Sequence, residues 1–439
     1  MVGTAAVAAF AFILWLGRGM TFFADEWAVI MGRPISVDSF VQPFNEHWLG
    51  VTTLAYRLLL EWLGLTTYVP YLAVLLGLHV IVVLEVYVLA RRSAGAVLGT
   101  LAAVIVAVLG SGFENLYWAM QIGFSGAIAL GLGALIVLDR GATRGRVILA
   151  TVLLTVGMMT SGFGIFMLAF VGLEVLLTPG RRRVVAALFV PAGIYLAWYL
   201  AFGRTGLATH RDPFTIAALL DVPAFVVDGA GTAIGSVFGV GPIVGRVGAL
   251  ALAVMLAWRV VRHGLRGVPA RTLAALGAIV VQYSILGLIR AQLFEGAAEY
   301  SRYAYLSTIF ALLGLVALIA PLEVMRLPRW RMARLGVLAA VATLALTWNV
   351  WLLIAGREIF LDRADRTRAT IVVAQGDLGP GIDPDVAMLL DRRVSDLRSA
   401  LERFGSPLTD SLAGDAVRPI PPALVEEVRS ELLEPSATR

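Results

Sequence analysis

Asp25 and Glu26 stand side by side in Phe22-Phe23-Ala24-Asp25-Glu26-Trp27, just past an apolar run of nearly membrane length. Asn45-Glu46-His47-Trp48 follows in the same loop. A charge at a membrane boundary is expensive unless it is solvated or paired, so acids placed there need a reason. A carboxylate at that position can take a proton from an attacking hydroxyl as a general base. Two solvated loop acids, or one of them capping a short helix, is the plain structural alternative.

Three more groups carry chemistry. Glu46 and His47 could share a metal with Asp25 or orient an acceptor hydroxyl, although one histidine among scattered acids is a weak metal signature. They could equally be the polar start of an interfacial helix. Phe113-Glu114-Asn115-Leu116-Tyr117-Trp118, followed by Gln121, mixes an acid, amides and rings. That mixture suits a sugar, whose apolar face stacks on rings while amides read its hydroxyls. Interfacial aromatic belts explain the rings equally well. Arg290, Gln292, Glu295, Glu299, Tyr300, Ser301, Arg302, Tyr303 and Tyr305 form the last group. Guanidinium forks match phosphate oxygens in pairs, so this stretch is where a lipid phosphate would sit. The alternative is a structural pair between Arg302 and Glu299. Arg204, His210 and Arg211 are a weaker basic cluster. His79 and Glu85 stand isolated in apolar runs, with Arg91 or Arg92 as partners for Glu85.

The elements that must position these groups are membrane helices. Of the 439 residues, 59% are hydrophobic and only 15% charged, against roughly 45–50% and about 25% in soluble chains. There is no cysteine, which excludes disulfides, thiolate metal sites and a cysteine nucleophile. Every basic side chain is arginine, a bias that fits a GC-rich bacterial genome. The net charge of +5 lies in loops between apolar runs, so no nucleic acid partner is expected.

Apolar runs near 2–16, 69–90, 94–110, 122–138, 147–160, 163–178, 184–202, 247–261, 272–289, 303–320 and 335–355 predict about eleven spans. Arginine clusters at 91–92, 140–146, 181–183, 259–271 and 326–334 fall in alternate loops. The positive-inside rule places those loops in the cytoplasm, giving a multi-pass cell-membrane protein with its N-terminus cytoplasmic and its C-terminus extracytoplasmic. The pair 147–160 and 163–178 depends on a tight turn at Thr160-Ser161-Gly162.

In the first outer loop, 18–68, residues 49–64 carry Arg57 and Glu61 on one face and predict an interfacial helix. Within the outer loop 203–246, residues 213–246 are expected to be interfacial or re-entrant, and both segments should roof an outward-facing cavity. The membrane part thus covers 1–355. The remainder, 356–439, reads as a small extracytoplasmic helical tail with too little apolar content for more than a small core. Asp383-Pro384 should open one tail helix, ending at Gly405, and a second is expected near 421–433. The fold class is an all-α polytopic membrane protein with outer-face interfacial helices.

An acidic pair in the first outer loop, an interfacial helix behind it, many spans and a hydrophilic outer tail resemble the GT-C integral-membrane glycosyltransferases. The residues carrying the likeness are Phe23-Ala24-Asp25-Glu26-Trp27, Asn45-Glu46-His47-Trp48 and Ser301-Arg302-Tyr303. It covers most of the membrane part and not the tail. The resemblance implies an inverting transfer from a polyprenyl-phosphate-linked sugar to a hydroxyl of a glycan, lipid or protein acceptor at the outer leaflet. It implies Asp25 as catalytic base with Glu26 as its neighbour, the swapped assignment staying open. Glu46, His47, Glu114, Asn115, Gln121, Arg290, Arg302 and Tyr303 become the expected substrate-binding residues. The resemblance fixes no cofactor, and a divalent metal (Mg or Mn), used by some members of the family and not by others, stays open. An activated phosphate donor needs no nucleotide site, and neither a Walker-type loop nor a GxGxxG after a strand is present. Two rival classes are a lipid-linked sugar flippase, for which repeats and midplane charges are expected, and an outer-leaflet oligosaccharide ligase or polymerase.

Overall fold

A bilayer core has no water to satisfy backbone N–H and C=O groups, so apolar runs there must close their hydrogen bonds within helices. In the computed structural model each of the eleven expected runs lies on a helix. The structure describes residues 2–209, 215–291, 296–320, 331–376, 387–389, 392–408 and 410–433, apart from 411, 413, 415 and 416. Gln292, Glu295, His210, Arg211, Asp383-Pro384 and the arginine cluster at 326–329 lie outside the described residues.

The chain begins with α1 (Val2–Leu16), then the short α2 (Asp25–Gly32) and α3 (Val37–Val41), then α4 (Gly50–Leu63). Helix α5 (Val69–Ala107) holds two of the expected spans. Gly95, at φ 84° and ψ 176°, breaks it into two arms. A side chain would strain that backbone, which is why glycine stands there. The arms fold back on each other: Gly99 lies against the Arg91 backbone, and the Ala107 carbonyl comes within 3.3 Å of His79 Nε2. The four-residue α6 (Glu114–Tyr117) leads into α7 (Ile122–Asp139). Helices α8 (Arg144–Thr160) and α9 (Phe163–Leu177) are joined by Ser161 and Gly162 alone, and α10 (Val185–Ala201) follows.

Next come α11 (Ile216–Val237), α12 (Pro242–His263), α13 (Ala270–Arg290), α14 (Ser301–Ile319) and the 45-residue α15 (Arg331–Gln375). Among the described residues seven helices are long and apolar enough to cross a membrane: α5, α7 with its leading turn, α11, α12, α13, α14 and α15. α1, α9 and α10 are shorter apolar helices. The molecule is an all-α polytopic membrane protein.

Two expected segments take a definite form in the chain. The 213–246 segment contains α11, a 22-residue apolar helix of spanning length. It packs Phe225 against Gly287 and Gly229 against Tyr283 on α13, and its Ser236 carbonyl accepts from the Ser111 hydroxyl at 3.1 Å. Asp228 pairs with Arg246 at 2.8 Å across the hairpin to α12. Secondly, no helix break separates the membrane part from the tail near residue 355. α15 runs on to Gln375, because no proline interrupts it and its lower half gives it a nucleated helix to extend. Arg357 Nε donates to the Leu16 carbonyl at 2.9 Å and Arg368 to the Gly19 carbonyl at 2.8 Å, tying this extension to the chain leaving α1.

The tail adds a short antiparallel ladder, β1 (Ala387–Leu389) with β2 (Arg392–Arg393), and helices α16 (Val394–Phe404) and α17 (Pro422–Leu433). Gly405 at φ 88° ends α16. Helix α16 docks rather than hangs free: Val394, Leu397 and Leu401 are buried, and the Phe404 carbonyl accepts from the Leu65 amide at 2.7 Å.

Arginines gather at one end of the bundle. Arg92, Arg181 and Arg271 all reach Asp139 there, at 3.6, 3.1 and 3.0 Å. Arg259 donates to the Leu318 carbonyl at the last turn of α14. The first turn of α14, at the other end, faces the site.

Candidate functional site: a cavity between the first loop and α13–α14

A cavity of about 1360 Å³ opens between the first loop, the 110–124 segment and helices α9, α10, α13, α14 and α15. Of the predicted residues it is lined by Asp25, Glu46, His47, Glu114, Gln121, Arg290, Arg302 and Tyr303. Glu26 and Asn115 do not line it. Glu26 is wholly buried and faces away. Asn115 is buried behind the wall, its amide 3.4 Å from the Arg302 carbonyl.

Asp25 enters the cavity as the first residue of α2, where acids sit well against the helix dipole. The residue before it, Ala24, has φ 46° and ψ −120°. Non-glycine residues avoid that region, at a typical cost of about 1–3 kcal/mol. Asn45, at φ 51°, is the other non-glycine residue with positive φ among the described residues. Both line the same cavity. Backbone strain thus concentrates at this site, where Gly206 lets the Asn45 carbonyl approach too closely for any side chain.

The Asp25 carboxylate makes no hydrogen bond or salt bridge among the described residues. Burial pushes its carboxyl above the usual aspartate range; Arg302 and Arg290 pull it back, and Glu46 adds to the push. Arg290 is bonded to Glu46, whose Oε1 lies 3.4 Å from His47 Nε2. Arg302 has no carboxylate partner among the described residues, so the expected alternative pairing with Glu299 does not form. Its guanidinium lies over the rings of Tyr300 and Tyr303, 5.1 and 5.3 Å from their centroids, a placement that favours the cation. Glu114 holds the start of α14: its Oε2 accepts from the Arg302 amide at 3.1 Å, and its own amide donates to Ser301 Oγ at 3.0 Å.

The walls divide by character. Tyr195 and Leu196 of α10, Phe166 and Leu168 of α9 and Ile285 and Ile289 of α13 give an apolar flank. Trp118 and Gln121 line the polar centre. Among the described residues the buried Gln121 side-chain oxygen has no partner, an acceptor left for a ligand donor. Among the described residues no group of three or more acids and histidines is placed to hold a metal ion. Glu46, moreover, is already committed to Arg290.

A lining cation escaped the sequence reading. Arg363, assigned to the tail, reaches the cavity from α15. Its guanidinium sits over Phe23 and Phe360 at 4.7 and 5.0 Å and lies 4.0 Å from Glu114. The available signal was Phe360 and Arg363 at i, i+3 on a helix without a breaker. Tyr195 and Tyr199 of α10 also line the cavity and were not singled out, because nothing marks them within their apolar run.

No protein-family model matches this chain, and no curated protein matches it. The site's geometry is therefore the basis for a functional reading.

Proposed function

We propose that the protein is an inverting glycosyltransferase that moves a sugar from a polyprenyl-phosphate donor to an acceptor hydroxyl at the outer leaflet. The observation that carries this reading is the meeting, in one cavity, of an Asp25 carboxylate unpaired among the described residues with the Arg290 and Arg302 guanidiniums. The arginine-rich end lies opposite the cavity, so the positive-inside rule supports an outward-facing site.

The chemistry follows from those groups. The acceptor oxygen attacks the anomeric carbon from the face opposite the phosphate, and the bond between that carbon and the phosphate oxygen breaks. Asp25 takes the acceptor proton, and polyprenyl phosphate departs with one more negative charge. Arg302 and Arg363 offset that charge, in a wall where fixed donors act more strongly than in water. Arg290 is partly neutralised by Glu46 and contributes less. Gln121 reads a sugar hydroxyl, and Trp118 offers its face to the ring. The apolar flank of α9, α10 and α13 accepts the isoprenoid tail.

The test uses the full chain in liposomes with polyprenyl-phosphate donors bearing radiolabelled hexoses or pentoses. Label should pass to a non-donor product in the wild type and not in Asp25→Asn. Movement of intact donor across the bilayer with no new glycosidic bond would sink the proposal in favour of a flippase.

A further inference from the structure

Glu26 follows Asp25 in the chain and points the opposite way, into a dry cluster of donors. Its Oε2 accepts from the Phe23 amide at 2.5 Å. Its Oε1 accepts from the hydroxyls of Tyr56 at 2.9 Å and Tyr68 at 3.1 Å. The Met120 backbone amide lies near enough to favour the same carboxylate. These four groups come from the loop before α2, from α4, from the cap of α5 and from the turn 119–121. Tyr68 extends the link. Its hydroxyl accepts from the Ala119 amide at 2.7 Å, and its own amide donates to Asp410 Oδ2 in the tail at 3.1 Å.

The strained residue sits inside this clamp. Ala24 lies between Phe23, whose amide Glu26 holds, and Asp25, which enters the cavity. The Trp27 amide closes on the Ala24 carbonyl at 2.9 Å. A backbone held in so sparse a region persists only where its surroundings over-determine it. Glu26 supplies that determination. It cannot touch a substrate, since no atom of it reaches the cavity.

We propose that Glu26 is a positioning residue: its carboxyl locks the Ala24 turn so that Asp25 projects into the cavity, and the tail joins the lock through Asp410 and Tyr68. The proposal rests on Asp25 being the base. It gives the tail a role in holding the site, and it makes the two neighbouring acids mechanistically unequal.

Glu26→Gln is the informative change. The single amide oxygen can serve only one side: turned to the Phe23 amide it leaves the tyrosine hydroxyls facing an NH₂, and turned to the tyrosines it sets the NH₂ against a backbone donor. Amide exchange over 22–27 in the full-length protein in detergent should quicken by about tenfold or more, with α7 and α13 unchanged. Transfer should fall about 10²-fold in kcat with KM nearly constant, the scale expected for a base displaced by about 1 Å. Tyr56→Phe, which removes one donor without inserting a wrong one, should shift both readouts the same way by less. Asp25→Asn should lower transfer by roughly 10²–10⁴-fold and leave exchange over 22–27 as in the wild type.

Normal exchange over 22–27 in both Glu26→Gln and Tyr56→Phe would overturn the lock, whatever happened to turnover. A wild type that transfers from no donor would instead remove the base assignment, and the exchange comparison would still decide the lock.

Discussion

The two ends of the helix bundle handle charge in opposite ways. At the arginine end, Arg271 spends its donors on neighbours: Nε and one terminal nitrogen bond Glu174 at 2.7–3.2 Å, the same nitrogen reaches Asp139 at 3.0 Å, and the other bonds Ser93 Oγ and the Leu89 carbonyl. Four helices, α5, α7, α9 and α13, meet in that network, and Arg92 and Arg181 close it from outside. At the cavity end, Asp25 and Arg302 have no ionic partner among the described residues, and the backbone before Asp25 is strained. Paired buried charges tell how a bundle is held. Charges left unpaired beside a void, at the expense of backbone strain, tell where a ligand is expected.

Removing the base tests that contrast most severely. Asp25→Asn should lower transfer by roughly 10²–10⁴-fold, the range of general-base help, while the melting temperature stays within a few degrees. Burial raises the Asp25 carboxyl above its ordinary range, and the base must be ionised. Activity should therefore fall on the acid side at a higher pH than an exposed aspartate would give, and a pH–rate profile reads this directly. A large loss of stability in Asp25→Asn would make Asp25 a structural acid and erase the difference between the two ends.

The reverse result is expected at the arginine end. Arg271→Ala leaves the buried Glu174 without its cation and Asp139 with Arg92 and Arg181 alone, a change that typically destabilises by about 3–5 kcal/mol. A urea or thermal titration in detergent should show that loss. Transfer per folded molecule should be unchanged, because the network lies at the other end of α13 from Arg290.

Arg302→Lys is a milder probe within the site. A lysine keeps the charge but loses the planar fork and the stacking on Tyr300 and Tyr303. A fall of about tenfold in kcat/KM, roughly 1.4 kcal/mol, is expected. An equal fall in Arg290→Lys would mean that the Glu46 pairing does not set the two guanidiniums apart.

How much of this was legible in the sequence follows from what local patterns carry. The apolar runs gave helices because the bilayer admits little else, and Ser161-Gly162 gave the α8–α9 turn because those residues tolerate it. The Asp25, Glu46, Glu114, Arg290 and Arg302 neighbourhoods stood out because ionisable groups at membrane edges are rare. The opposite orientation of Glu26 was not legible. Adjacent residues in a helix point about 100° apart, so one of two neighbouring acids must turn from the cavity, and only the positions of Tyr56 and Tyr68 decide which. Arg363 was missed because composition drew a boundary at 355 that helix propagation ignores. The continuity of α11 was not legible because its glycines and two aspartates mimic an irregular segment, whereas the glycines provide close contact with Tyr283 and α12.

Glu26 offers a further difference between the ends through pH. Burial outweighs its donors and raises its carboxyl from 4.5 to about 8. The folded state therefore holds a proton that the unfolded state releases near pH 4.5. The stability this proton supplies is complete below that pH and is lost as pH rises towards 8. The melting temperature should decline across that window in the wild type and flatten in Glu26→Gln, which has no proton to lose. An equal slope in both proteins would assign the titration to another group.

The smallest effect belongs to the tail's outer clasp. Arg366 bonds Glu427 at 2.9 Å and Glu431 at 2.5 Å, drawing α17 onto α15. All three side chains are about half exposed, and such surface pairs contribute about 0–1 kcal/mol. Arg366→Ala should leave the melting temperature nearly unchanged at moderate salt and should not alter transfer. The inner tail contact is different in kind, because Asp410 holds the Tyr68 amide in a buried position. Asp410→Ala should therefore reduce transfer more than Arg366→Ala does, although Asp410 lies outside the cavity. If the clasp variant were the more damaging of the two, the tail would act by covering the site from above rather than by bracing the loop that carries Asp25.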